Sequence, residues 1–252
     1  MWLIDTATLR LEEIVDLQDC KYAILSHTWE LDEVGFQEML AESRPAQLLK
    51  KAGFLKIKKT CEVAREKGYA FAWLSDLEVN NFEHSESKTS EFMKDCVWFT
   101  RGWTLQELIG PEELEFYDQE WKFRGSKKTL RYELSKITGI DTTTLQDSEL
   151  LPTIPVGRRM SWAANRKTTR VEDIAYCLFG IFGVNMPMIY GEGKNAFLRL
   201  QEEIAKSTND LTLFAWTSQK ESGVANAAPR SSSAGPEEPS PGPSTCPNLF
   251  SP

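Results

Sequence analysis

Tyr22-Ala23-Ile24-Leu25-Ser26 is a short apolar run of the kind that forms a buried strand, and the fold is read outward from it. Downstream, Ile57, Cys61 and Ala64 recur at i, i+4 and i+7, with Gly68 just beyond, which predicts an amphipathic helix closed by a C-terminal glycine. Tyr69-Ala70-Phe71-Ala72-Trp73-Leu74 then reads as a second buried strand. Strand, helix and strand in that order predict a parallel α/β unit. Further on, Leu114 and Phe116 alternate with polar neighbours like a half-exposed strand. Leu130, Leu134 and Ile137 form a helical stripe stopped by Gly139. Ile174, Cys177, Leu178 and Ile181 form a stripe ended by Gly183 and Pro187. Phe197, Leu200 and Ile204 predict the last helix, and Leu211 to Trp216 reads as a closing strand. The expectation is an α/β fold with a parallel-sheet core followed by a mainly helical region.

The chain has 252 residues, 41 % of them hydrophobic and 26 % charged, so a core of useful size can be buried. A net charge of -8 repels phosphate backbones and argues against general nucleic-acid binding. No run approaches the roughly eighteen apolar residues of a bilayer-spanning helix, so no membrane span is expected. Met1-Trp2-Leu3-Ile4-Asp5 has neither the basic nor the apolar region of a secretion signal. Cys20, Cys61, Cys96, Cys177 and Cys246 are scattered, and only His27 and His84 could join them, so neither a disulfide framework nor a metal site is expected. These features fit a reduced, cytoplasmic protein. From Pro229 to Pro252 the chain carries seven of its twelve prolines, so residues 218–252 read as a disordered Pro/Ser-rich tail.

Four segments carry candidate chemistry. Ser26-His27-Thr28-Trp29 follows the first strand, where open α/β sheets bind ligands. Ser26 and His27 are not expected to act as a nucleophile–base pair, because neighbours in an extended segment face opposite ways. The competing reading has His27 and Trp29 packing the strand end. In Arg101-Gly102-Trp103-Thr104-Leu105-Gln106-Glu107-Leu108, Trp103 and Glu107 share a helical face, and an indole beside Glu107 would raise its pKa for acid–base work. Against that, Thr104 to Glu107 fits a capping box, with Arg101 offsetting charge and Trp103 filling core. Thr169 to Glu172 fits a second box. Arg158, Arg159, Arg166, Lys167 and Arg170 suit a phosphate or an acidic surface, or else form a solvated basic loop paired with Glu172 and Asp173. Gly191-Glu192-Gly193-Lys194-Asn195 fails the phosphate-loop pattern at Met188 and Asn195, and its glycines are expected to turn the chain into the last helix.

In this order, Tyr22–Trp29, Arg101–Leu108, Arg159–Ala164, Thr168–Asp173, Ala175–Leu178, Gly180–Phe182 and Met186–Gly193 together resemble the heterokaryon-incompatibility (HET) domain family of fungi over roughly 2–217. The resemblance implies a HET-like core at 1–110, a family-typical helical region at 111–217 and the tail at 218–252. It implies an effector of vegetative incompatibility, the programmed cell death that follows non-self recognition. More distantly, it implies a TIR- or flavodoxin-like core. That link would make Glu107, Ser26 and His27 catalytic candidates, with NAD as a substrate and no bound cofactor. Trp29, Arg101, Trp103, Arg159 and Arg170 would be binding or surface positions. A protein partner or self-association is expected, as is the alternative of a non-catalytic self-associating module. The chain departs from the family pattern after Trp73, where Leu74-Ser75-Asp76 follows at once. About thirty residues, a strand and a helix, are missing there. Loss of an interior strand is expected to expose neighbouring edges and suggests a degenerate copy.

Overall fold

Leu25–His27 (β3) and Ala70–Trp73 (β4) pair in parallel, Leu25 opposite Phe71 and His27 opposite Trp73. The predicted strand–helix–strand unit is therefore present, its helix being Ala52–Lys67 (α3). The structure, a computed structural model, describes residues 1–16, 21–41, 45–67, 70–78 and 93–215. Gly68, Tyr69, His84, Trp216 and the predicted tail lie outside these residues. β4 pairs in parallel with Leu114–Tyr117 (β5), which pairs antiparallel with Phe123–Ser126 (β6), completing a sheet of order β3-β4-β5-β6. Mixed α/β architecture with a parallel core follows.

β4 is paired on both sides, and Phe71, Ala72 and Leu74 are fully buried. The exposed edge expected beside the shortened segment does not occur there. β5 is not the half-exposed strand predicted: all four of its residues are buried. It is interior to the sheet, and both its faces are covered, Phe116 by Trp98 and Phe99 and Tyr117 by Phe71. Alternating polarity marks a strand with one wet face, and Glu115 mimicked it while pairing with the Tyr117 hydroxyl.

The crossover from β4 to β5 includes a 3-10 turn, Val97–Thr100, and a short helix, Thr104–Ile109 (α4). Beyond the sheet come Arg131–Thr138 (α5), Thr142–Gln146 (α6) and Val156–Ser161 (α7). α5 ends, as predicted, at Gly139, whose φ of 73° is left-handed. The stripe at 174–181 is broken into Asp173–Tyr176 (α8) and Phe179–Phe182 (α9), and Ile174 is exposed. At the break the Leu178 N–H bonds back only three residues, to Ala175 O. The last helix is Asn195–Ser207 (α10), with Leu200 and Ile204 buried as its pattern predicts.

Leu211–Phe214 is a 3-10 turn rather than a closing strand. It packs on the start of α7: Asp210 Oδ2 accepts Val156 N at 2.7 Å and Thr212 Oγ1 accepts Gly157 N at 2.9 Å. Those bonds cap a helix and leave the segment no sheet edge to join. The N-terminal part adds a hairpin that the sequence reading missed, Trp2–Ile4 (β1) with Leu11–Glu13 (β2), and two short helices, Phe36–Leu40 (α1) and Ala46–Lys50 (α2). Val34, Met39, Leu48 and Phe54 form a small core there, separate from the main core around Phe116, Trp98, Leu105 and Tyr176. No described helix is long and apolar enough to cross a membrane.

Candidate functional site

β3 delivers Ser26 to one face of the sheet and His27 to the other, as the period of a strand requires. On the first face Ser26 is buried, and its Oγ accepts from Trp98 Nε1 at 2.7 Å. The same hydroxyl donates to Glu107 Oε2 in a short hydrogen bond. The Ser26–Trp29 and Arg101–Leu108 motifs thus meet at one bond, across 81 residues of sequence.

Glu107 is therefore not the reciprocal half of a capping box. Trp103 stands at the N-cap of α4 in helical conformation, and Thr104 is already inside the helix. The Thr104 hydroxyl turns back to Trp98 O at 2.6 Å and Arg101 O at 2.9 Å, and accepts from Arg166 Nη1 at 3.0 Å. Burial pushes the Glu107 carboxyl above its usual range. The Ser26 hydrogen bond and the charges of Arg166 and Arg101 pull the other way. The predicted upward direction holds, with burial as its cause. Burial also pushes Arg166 down to about 10. Chemically, this is a carboxyl group that can hold or release a proton near neutrality and polarise a serine hydroxyl.

Arg101 anchors the segment, donating to Thr169 Oγ1 at 3.3 Å, while Gly102 N donates to Lys167 O at 2.9 Å. A Cβ at Gly102 would lie 2.5 Å from Thr168 Cγ2, so only glycine lets the two stretches approach this closely. Trp103 is half-buried against the main core. Trp98 and Arg166 were not singled out from sequence. Arg166 sat unmarked inside the basic stretch, and Trp98 carries no local signal.

On the opposite face His27 Nδ1 lies 3.0 Å from Thr28 O and 3.2 Å from Lys56 Nζ. Lys56 also pairs closely with Glu33. Burial and the Lys56 charge push His27 below its usual value, which favours a neutral imidazole. Trp29 is exposed, its ring 5.3 Å from that of His27. The structure thus brings Ser26 and Glu107 together with Arg101 nearby, and separates His27 and Trp29 from them.

The basic stretch is not the solvated loop expected, nor one binding surface. Arg159 is buried, donating to Ile181 O at 3.0 Å and lying over the Phe182 ring. Arg170 is exposed and stacks on Tyr190. Glu172 closes no capping box. Its Oε1 accepts Gly191 N at 2.9 Å and Gly193 N at 3.0 Å, so a carboxylate of the chain itself fills the turn that resembled a phosphate loop. Gly191 and Gly193 have φ of 103° and 60°, and they do turn the chain into α10.

Comparison with known proteins adds two matches. A family model described as "Domain of unknown function (DUF8212)" matches residues 195–245, beginning at the first residue of α10. No solved structure matches the chain. The chain is similar to the vegetative incompatibility protein HET-E-1 of Podospora anserina, 36 % identical over 223 residues, covering 73 % of this chain and 16 % of that protein. It therefore spans only about a sixth of that relative's length, and the similarity ties it to a fungal incompatibility protein.

Proposed function

We propose that this chain is a HET-type effector of heterokaryon incompatibility, acting in death triggered by non-self recognition through a protein partner or self-association. The carrying observation is its 36 % identity to HET-E-1. The meeting of the two most HET-like motifs at the Ser26–Glu107 bond supports it. The test is induced expression of the full chain in a fungal host, with soluble protein followed in the same cultures. Death with soluble protein present is expected. Survival with abundant soluble protein would remove the effector reading and favour a degenerate or regulatory copy.

A second reading, an NAD glycohydrolase, is favoured by one observation: a half-buried Glu107 with a raised pKa, bonded to a serine at the carboxyl end of a parallel strand. On that reading the purified chain releases nicotinamide from NAD, and Glu107→Ala abolishes release while the fold persists. A chain that self-associates without turnover would instead be a non-catalytic signalling module.

A further inference from the structure

On the face of the sheet opposite Ser26, the strand register lines up four rings. His27 stands opposite Trp73, Trp73 opposite Tyr117, and Tyr117 opposite Phe123. They form one transverse row across every strand of this sheet, roughly 14 Å long at the usual strand spacing. The row sits at the carboxyl ends of the parallel strands, where open α/β sheets take ligands. Trp121 extends it, stacking on Trp73 at 5.4 Å with the rings 12° from parallel. Trp29 extends it at the other end beside His27.

The row is only partly covered. Tyr117 is buried, whereas Trp29 is 57 % and Phe123 53 % exposed. Trp121 is held in place at some cost. Its φ of 63° is left-handed, a region bulky residues rarely adopt. The turn that imposes it is built around Asp118, which is fully buried. Asp118 Oδ1 accepts Glu120 N at 2.9 Å and Lys122 N at 3.0 Å, and Oδ2 accepts Arg124 Nε at 2.6 Å. Trp73 Nε1, at the centre of the row, is buried without a hydrogen-bond acceptor.

We propose that this row is a stacking platform for a planar heteroaromatic ring of the nucleobase type, clamped between Trp29 and Trp121. Aromatic faces preorganised at fixed positions bind such rings with little ordering cost. The neighbouring cations favour a base over a polyphosphate or a nucleic-acid strand, since Lys56 is matched by Glu33 and Arg124 by Asp118. The site is separate from Ser26 and Glu107 and does not depend on the effector role, so binding and cell death are read independently.

The test is calorimetric titration of the full chain with adenosine, with ribose as the ring-free control. Saturable adenosine binding is expected, with none for ribose. Trp29→Ala and Trp121→Gly should each weaken it about tenfold, the scale of losing one stacking partner. Glycine at 121 tolerates the left-handed backbone, so the turn should persist. Trp29 is exposed, so its variant decides the matter alone if the other fails to fold. No saturable binding of adenosine, or binding unchanged in Trp29→Ala, overturns the proposal.

Discussion

Ser26 is held from two sides, and the two bonds make opposite demands on a substitution. Ser26→Ala removes the acceptor for Trp98 Nε1, a fully buried donor, and the donor for Glu107. Leaving a buried donor unmet costs about 1–3 kcal/mol, so the variant should melt several degrees lower. Glu107→Gln should behave differently. Gln can still accept from Ser26, and it carries no charge to bury. A carboxylate whose folded pKa is raised contributes stability that is complete below its unfolded value of 4.5 and lost as pH rises through the folded value. Wild type should therefore lose stability relative to Glu107→Gln between about pH 4 and about pH 7. Melting temperatures of both proteins across that range check the sign, and a gap that widens toward acid would refute it. At this scale the sequence was legible in residue type and misleading in partnership. Thr104-Leu105-Gln106-Glu107 has the spacing of a capping box, but the partner that claims Glu107 is 81 residues away. Local spacing cannot register a tertiary competitor. The opposite facing of Ser26 and His27 was legible, because strand geometry alone sets it.

α4, six residues long, carries Glu107 and is too short to hold its own shape. Its C-terminus is fastened from outside. Lys127, just past β6 and almost wholly buried, donates from Nζ to Leu108 O and Ile109 O, each at 3.2 Å, and to Pro111 O. A cation on a helix's last carbonyls also opposes the negative end of its dipole. Burial pushes Lys127 down to about 8. For a lysine with a lowered folded pKa, the charged form costs stability below about 8, and the cost fades as pH rises toward 10.5. Lys127→Met fills a similar volume and leaves those carbonyls without their lysine donor, for an expected loss of about 1–3 kcal/mol in urea unfolding. The wild type's advantage over Lys127→Met should grow from about pH 8 upward; an advantage that shrinks would refute the assignment. Elements were readable where periodicity and a terminal glycine agreed, as in α3, α5 and α10. They failed where a neighbour decided the outcome. The apolar run at Leu211 became a 3-10 turn because Asp210 and Thr212 cap α7. The half-exposed reading of β5 failed because the partners that cover it lie elsewhere in the chain.

The molecule as a whole divides its apolar residues unequally, and the division has a dynamic consequence. The main core gathers β4, β5, α4 and most of the second half of the chain. The smaller one rests on Val34, Met39, Leu48 and Phe54, backed by Ile4, Leu9, Leu11 and Ile57. Its helices α1 and α2 have five residues each, below the length at which a helix sustains itself. What ties this part to the sheet is polar: Lys56 of α3 bonds to Glu33 and lies beside His27 and the Trp73 ring. The parallel sheet was legible from two apolar strands and the helix between them. The split core was not, because no residue in the N-terminal part announces which cluster it will join. Few buried apolar residues and short helices predict local opening at a free energy below that of global unfolding. Native-state hydrogen exchange of the full chain should show amides of α1 and α2 exchanging well ahead of those in β4 and β5. Glu33→Gln, which weakens the tie to Lys56, should speed exchange in α1 and α2 while leaving β5 unchanged. Equal protection in α1, α2 and β5 would mean instead that both clusters unfold as one cooperative unit, with the Lys56–Glu33 pair coupling them rather than merely tethering them.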